Sequence, residues 1–259
     1  MEYDFNKAVK LFMIFDILGD TERTGPLLWK IDRFRLEDIK DHVFDLFTIA
    51  KELRKYFPSY IDFDKITDYI LCHDLPEAIT GDITKFEGVP DQEIKRVTKV
   101  AIDYLANDFG NVLDLKNILN NYENRSDIES KIVHMIDKLH SSSTFIKYES
   151  EESVDMDKPG IIPVLRNHPF VVEKIKERKD LADIFFEFHK RAINIRDEEC
   201  GKYGISREDA DKIVFAIRGF ANELYKQKLD GTLLKFKDDF PKSAEIYNRN
   251  INSLLNDKQ

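Results

Sequence analysis

The chain has 259 residues, a formal net charge of -9 and a pI near 5.3. Hydrophobic residues make up 42% and aromatics 12%, the composition of a globular chain with a sizeable core and far from that of a disordered one. The acidic balance argues against a nucleic-acid polymer as partner, because a duplex-binding face needs a basic excess, whereas a small anion beside a cation remains compatible with it.

From the N-terminus, Glu2 and Asp4 stand where a signal peptide would carry basic residues, so no leader is expected. Residues 3–18 place Phe5, Val9, Phe12, Ile14 and Phe15 at helical spacing, and Gly19-Asp20 stops that helix. Residues 21–35 contain Gly25 and Pro26 and read as a loop. Residues 36–57 repeat Ile39, Val43, Leu46, Phe47, Ala50 and Leu53, an apolar stripe that ends before Pro58. Residues 63–75 carry Ile66, Tyr69, Ile70 and Leu71 and run into His73-Asp74. Pro76 removes a helical N–H and should bend or break the helix, and Gly81 opens a further loop. Amphipathic helices are expected over 91–109 and 126–149, with a shorter one near 113–121. More follow over 169–178, 180–198, 206–229 and 241–257, punctuated by a Gly201-Lys202-Tyr203-Gly204 turn and an Asp230-Gly231 stop.

No strand pattern or internal repeat is evident, so the expected fold is all-α: a helical body over 1–198 and a helical C-terminal extension over 199–259. The acidic run 149–157 reads as a solvated helix end or loop. The two cysteines cannot build a disulfide framework; Cys72 lies in an apolar stretch and packs, and Cys200 has no evident role. No apolar run reaches the roughly 20 residues needed to span a bilayer, and a cytoplasmic location without membrane contact is the default.

The chemistry is concentrated in His42, His73, Asp74 and Asp137, four side chains of metal-liganding type on three separate expected helices. A histidine on an inward stripe, taken alone, is usually a packed core residue. Here His42 shares its stripe with Leu46, Ile49 and Leu53, and Asp137 shares one with Val133, Ile136 and His140. A buried Asp is costly without a cation or several donors, and a divalent metal reconciles two acids and two imidazoles with an apolar setting. The mixed N/O set suits Mn, Co, Fe, Ni or Zn, with Mg not excluded by the residues themselves, and leaves the choice open. Four protein ligands leave about two octahedral positions for water and a phosphate oxygen, the arrangement of a metal-dependent phosphohydrolase. Glu77, four residues after His73, suits a base acting on water, or else caps the kinked turn; Asp82 either joins it or merely follows Gly81.

In chain order the blocks Arg23-Thr24-Gly25, LEDIKDH ending at His42, HDLPEAITGD from His73 to Asp82, and Ile136-Asp137-Lys138-Leu139 resemble the HD-domain superfamily of metal-dependent phosphohydrolases. More narrowly they resemble its YfbR-like 5′-deoxynucleotidase branch, with order and spacing agreeing over roughly residues 5–150 and HDLPEAITGD the most specific block. The resemblance implies a helical HD-domain bundle, often a homodimer, with one divalent metal ion held by His42, His73, Asp74 and Asp137. It also implies Glu77 acting on water, Asp82 near the sugar or the water, Arg23 on the phosphate, and a deoxyribonucleoside 5′-monophosphate as substrate. An Arg suits that last task, since its fork matches phosphate bidentately. Pro26 stands where the family has Trp, although Trp29 is nearby; Val43 replaces a Ser; and Arg33 and Arg35 are rival phosphate ligands to Arg23. Residues after about 198 exceed the usual family length.

Other polar residues carry blander readings. Lys138 pairs with Asp137 or phosphate, or faces solvent; His134 and His140 read as a surface and a packing histidine, with a role as partner of the metal ligands or as a second metal ligand as the alternative. The tract from Ser141 to Thr144 reads as small residues at a close helix crossing, and His189, in the run IFFEFH, as core. No P-loop or Rossmann glycine pattern is present. The leading expectation is therefore removal of phosphate from a small nucleotide by water activated at the cation. The alternatives are an HD hydrolase for a larger ester (dNTP, (p)ppGpp or cyclic dinucleotide) and a non-catalytic, metal-holding nucleotide sensor.

Overall fold

The structure, a computed structural model, describes residues 4–25, 36–84, 89–150, 187 and 189–233. Among these the regular secondary structure is all helical, with a single isolated antiparallel bridge between Glu22 and Asp38 and no strand. The helices are α1 (Phe5–Ile17), α2 (Ile39–Leu53), α3 (Phe63–Cys72), α4 (Glu77–Thr80), α5 (Asp91–Phe109), α6 (Leu115–Asn124), α7 (Ile128–Ser150), α8 (Asp197–Tyr203) and α9 (Arg207–Leu229). None of the described helices is long and apolar enough to cross a membrane.

Short polar side chains begin most of these helices. Asp4, Asp38, Asp62, Asp114 and Ser206 each accept a backbone N–H from the first turn of α1, α2, α3, α6 and α9. Each such cap contributes about 1 kcal/mol. Asp38 explains why α2 begins at Ile39 rather than at 36: residues 21–23 run antiparallel to 37–39, with Arg23 N–H donating to the Glu37 carbonyl and Ile39 N–H to that of Thr21. The loop expected over 21–35 is thus pinned at its start to the entrance of α2, while residues 26–35, Arg33 and Trp29 among them, lie outside the described residues.

Pro76 breaks the helix, as its missing N–H requires, but the break starts earlier than expected. Regular α3 ends at Cys72, and His73 to Pro76 form a tight turn in which Leu75 N–H reaches the Cys72 carbonyl and Glu77 N–H that of Asp74. Gly81, at φ 72°, ends the short α4 in the left-handed half of backbone space that only glycine enters without strain. A second difference concerns the helix expected over 180–198. The chain leaves helical geometry at 193–196 and restarts as α8, which runs through Gly201 to Tyr203, with Gly204 as the turning residue. Ile193 and Ile195 are fully buried there, and their carbonyls accept from Arg218 and Arg207 on α9. Helices expected over 169–178 and 241–257 lie outside the described residues.

Two apolar clusters organise the body. One joins Leu46, Ile49 and Leu53 of α2, Ile66 and Ile70 of α3, Ile132, Val133 and Ile136 of α7, and Ile213 and Ile217 of α9. The other joins Leu11 of α1, Ile102 and Leu105 of α5, and Leu115 and Leu119 of α6 with Ile39, Cys72 and Leu75. Burying each such side chain contributes about 1.5–3 kcal/mol. The chain passes from the first cluster at Ile70 to the second at Cys72 and Leu75, so the His73-Asp74 turn is anchored on both sides. Helices α8 and α9, beyond residue 198 for most of their length, share the first cluster, and a partly buried Lys131–Glu199 ion pair at 3.0 Å ties α8 to α7.

Candidate metal centre

The four expected ligands meet. His42 Nε2 lies 3.4 Å from Asp74 Oδ2 and 3.5 Å from Asp137 Oδ1, and His73 Nε2 lies 3.2 Å from Asp74 Oδ2. The His42 and His73 rings stand 5.5 Å apart, centre to centre. His42, His73 and Asp137 are buried, from α2, the turn after α3, and α7, and can together hold a metal ion. The Nε2 atoms of both histidines are buried without a hydrogen-bond partner. A buried polar atom with no partner is costly, and a cation relieves that cost at both nitrogens at once. A cation about 2.0–2.2 Å from each ligand sets neighbouring ligand atoms roughly 3.0–3.5 Å apart, which is the spacing found. The residues therefore fit a divalent metal.

The surroundings set the ionisation. His73 Nδ1 donates to the Ile70 carbonyl at 2.9 Å, so its free lone pair is on Nε2, toward the other ligands. Burial, with Arg23 and His140 nearby, drives the His42 pKa well below the ordinary 6.5, so His42 is neutral and able to ligate. Burial opposes the charge on Asp137, but the Lys138 ammonium beside it outweighs that and holds its pKa well below the usual carboxylate range. Lys138 Nζ contacts Asp137 Oδ2 at 2.7 Å, the pairing reading of that lysine.

Glu77 opens α4 beside the four expected ligands. Its Oε2 is buried without a partner, and burial together with Asp74 and Asp82 raises its pKa well above 4.5. Arg23 approaches from the segment before α2, its Nη1 3.5 Å from Asp74 Oδ2; burial opposes its charge, while Asp74, Asp82, Glu77 and Asp137 all stabilise it. Asp82 accepts the Thr24 backbone N–H at 2.6 Å, so it tethers the residue after Arg23. Arg33 lies outside the described residues.

Two neighbours, Tyr122 and Glu37, were not singled out by pattern. The Tyr122 ring packs on His73 at 5.1 Å; its place at i+7 and i+3 from Leu115 and Leu119 marks it as inward but not as a neighbour of the expected ligands. Buried Glu37 accepts from Thr144 and stands 3.8 Å from the Nδ1 atoms of both His42 and His140. His140 is buried, as a packing histidine would be, and also makes a 2.9 Å contact with His42, the partner role that was its alternative reading. The hydroxyls of Ser141, Ser142 and Ser143 bond back to carbonyls four residues earlier, which accounts for the serine tract without a nucleophile. His189, as expected, is buried, with its Nδ1 at Ser142.

A helical scaffold that gathers two imidazoles, two carboxylates, a buried glutamate and an arginine around one point defines a metal-dependent phosphohydrolase. The chain belongs to the HD-domain family, whose model matches residues 15–165. It is similar to the 5′-deoxynucleotidase HDDC2 of Homo sapiens, 24% identical over 180 residues that cover 66% of this chain and 85% of that protein. It is also similar to the 5′-deoxynucleotidase YBR242W of Saccharomyces cerevisiae, 31% identical over 121 residues that cover 44% and 50%. A solved structure of a conserved hypothetical protein from Pyrococcus furiosus aligns at 22% identity and a TM-score of 0.47, covering 65% of this chain and 99% of that one.

Proposed function

We propose that the protein removes the phosphate of a small nucleotide, a (deoxy)ribonucleoside 5′-monophosphate, at one divalent cation held by His42, His73, Asp74 and Asp137. The pair of partnerless, buried Nε2 atoms facing two carboxylates carries this reading. The 5′-deoxynucleotidase relatives favour a nucleoside monophosphate over a larger ester. When bound, the cation (Mn, Co, Fe, Ni, Zn or Mg) supplies Lewis acidity to a phosphoryl oxygen and lowers the pKa of water.

The chain's own residues do the rest. Arg23 grips the phosphate through its planar fork, in a partly buried setting that strengthens a charge-assisted contact. Asp82 keeps Arg23 in place by holding the Thr24 N–H. Glu77 takes a proton from the attacking water as the new O–P bond forms. That proton passes to the nucleoside 5′-oxygen as the P–O bond breaks, giving the nucleoside and inorganic phosphate. A high proton affinity, produced by burial beside Asp74 and Asp82, fits Glu77 for this task.

Inorganic phosphate released from a nucleotide panel with Mn²⁺, Co²⁺ or Mg²⁺, before and after chelation, tests the proposal. Chelator-sensitive release from monophosphates supports it. Pyrophosphate or triphosphate release favours the larger-ester alternative, and tight metal binding with no release favours a sensor.

A further inference from the structure

Behind the metal ligands runs a line of contacts from His42 to the surface. His42 Nδ1 lies 2.9 Å from His140 Nδ1, and His140 Nε2 lies 3.2 Å from Asp45 Oδ2. The two rings meet edge on, 4.7 Å apart and inclined by 64°. His42 and His140 are buried, whereas the Asp45 side chain is about half exposed. Asp45 and His42 share one face of α2 at i and i+3, and His140 comes from α7, so the line bridges two helices.

The protons along this line follow from what each atom can do. The Asp45 carboxylate only accepts, so His140 Nε2 carries a hydrogen and donates to it. With one hydrogen per ring, His140 Nδ1 is then an acceptor, and the hydrogen between the two Nδ1 atoms belongs to His42. That leaves the lone pair of His42 on Nε2, the atom that faces Asp74 and Asp137. Glu37 Oε1, 3.8 Å from both Nδ1 atoms, lies beside the shared hydrogen, and Thr144 donates to the other oxygen of Glu37.

We propose that His140 and Asp45 are positioning residues for the metal centre: the Asp45–His140–His42 relay fixes His42 as the Nδ1–H tautomer and aims its Nε2 at the cation. This rests on the metal reading above, in which His42 is a ligand. His73 has its tautomer set by a backbone carbonyl in the same sense, so the two ligating rings are oriented by different devices. The relay is absent from the HD blocks themselves, since His140 stands three residues beyond Asp137 and Asp45 three beyond His42.

Two measurements on the full-length chain test it. Long-range ¹H–¹⁵N spectra of the metal-free protein read the His42 tautomer directly: Nδ1–H is expected in the unsubstituted chain, with a shift toward Nε2–H in His140→Leu. Calorimetric titration with Co²⁺ should show an affinity loss of about 10–100-fold in His140→Leu, the size typical of a lost outer-sphere partner. The loss should be smaller in His140→Gln, whose amide oxygen still accepts from His42, and intermediate in Asp45→Ala. A purely packing role would leave the tautomer unmoved and treat Leu no worse than Gln. His42 protonated at Nε2 in the unsubstituted chain, or undiminished Co²⁺ affinity in His140→Leu, overturns the relay. Should His140→Leu fail to fold, Asp45→Ala and His140→Gln carry the same comparison. No Co²⁺ binding by the unsubstituted chain would instead remove the metal reading, while the spectra still decide the tautomer.

Discussion

Asp82 accepts the backbone N–H of Thr24 at 2.6 Å, tying the end of α4 to the segment that carries Arg23 across 58 residues of sequence. The carboxylate just past Gly81 thus sets where the arginine arrives. Asp82→Ala should release the Arg23 segment and raise KM by about 10–100-fold, the worth of a hydrogen bond to a charged group, with a smaller effect on kcat. Arg23→Ala should act in the same direction and at least as strongly. Steady-state kinetics of the two single variants and the double variant check this: a double variant no worse than Arg23→Ala places Asp82 upstream of Arg23, and additive losses refute the tether.

Glu77 is where metal holding and turnover should separate. Glu77→Gln keeps the shape and removes the proton acceptor. It should retain the metal while kcat falls by about 10²–10⁴, the contribution of a well-placed general base. Metal content measured beside turnover decides the point. An enzyme with its metal intact and kcat unchanged would remove Glu77 from the chemistry.

Asp74 contacts both histidine Nε2 atoms, at 3.4 and 3.2 Å. Asp74→Ala should therefore abolish metal binding. Ligand linkage gives the unsubstituted protein about 2.7 kcal/mol of added stability at a metal concentration 100 times Kd, seen as a rise in Tm. The variant's Tm should not respond to Mn²⁺ or Co²⁺. An equal rise in both proteins would show that the cation binds elsewhere.

Asp127, just before α7, accepts from Tyr69 Oη at 2.6 Å, Lys65 Nζ at 2.6 Å and Ser130 N–H at 2.8 Å. Asp127→Ala should cost about 1–3 kcal/mol, combining a lost helix cap with an orphaned tyrosine hydroxyl. Burial raises its pKa, but Lys65, Tyr69 and Ser130 outweigh it and hold the pKa below the ordinary 3.8. A folded pKa lower than the unfolded one means the stabilisation is present above pH 3.8 and is lost as pH falls through the folded value. Urea denaturation of both proteins should show their difference constant near neutrality and shrinking in acid. A difference that grows in acid would contradict the assignment.

Much of this could be read along the chain. Helical periodicity placed α5 at its observed bounds and most others within a few residues, because an amphipathic stripe and an Asp or Ser cap act locally. The departures came from non-local contacts: α2 is shortened by the pairing of 21–23 with 37–39, and the helix expected to 198 is interrupted where Ile193 and Ile195 enter the core. His42, His73, Asp74 and Asp137 were selectable as a set because their types are costly on inward stripes unless something joins them.

The amino-acid order on its own determined a helical protein and the side chains able to hold a cation, since both depend on spacings of a few residues and on the chemistry of single groups. Which nitrogen of His42 faces Asp74 and Asp137, which helix supplies its hydrogen-bond partner, and which backbone N–H Asp82 holds were decided only when α2, α7 and the His73 turn packed together. Those relationships join atoms 58 to 98 residues apart. Hydrogen bonds are directional over less than an ångström, and no local pattern encodes a distance on that scale.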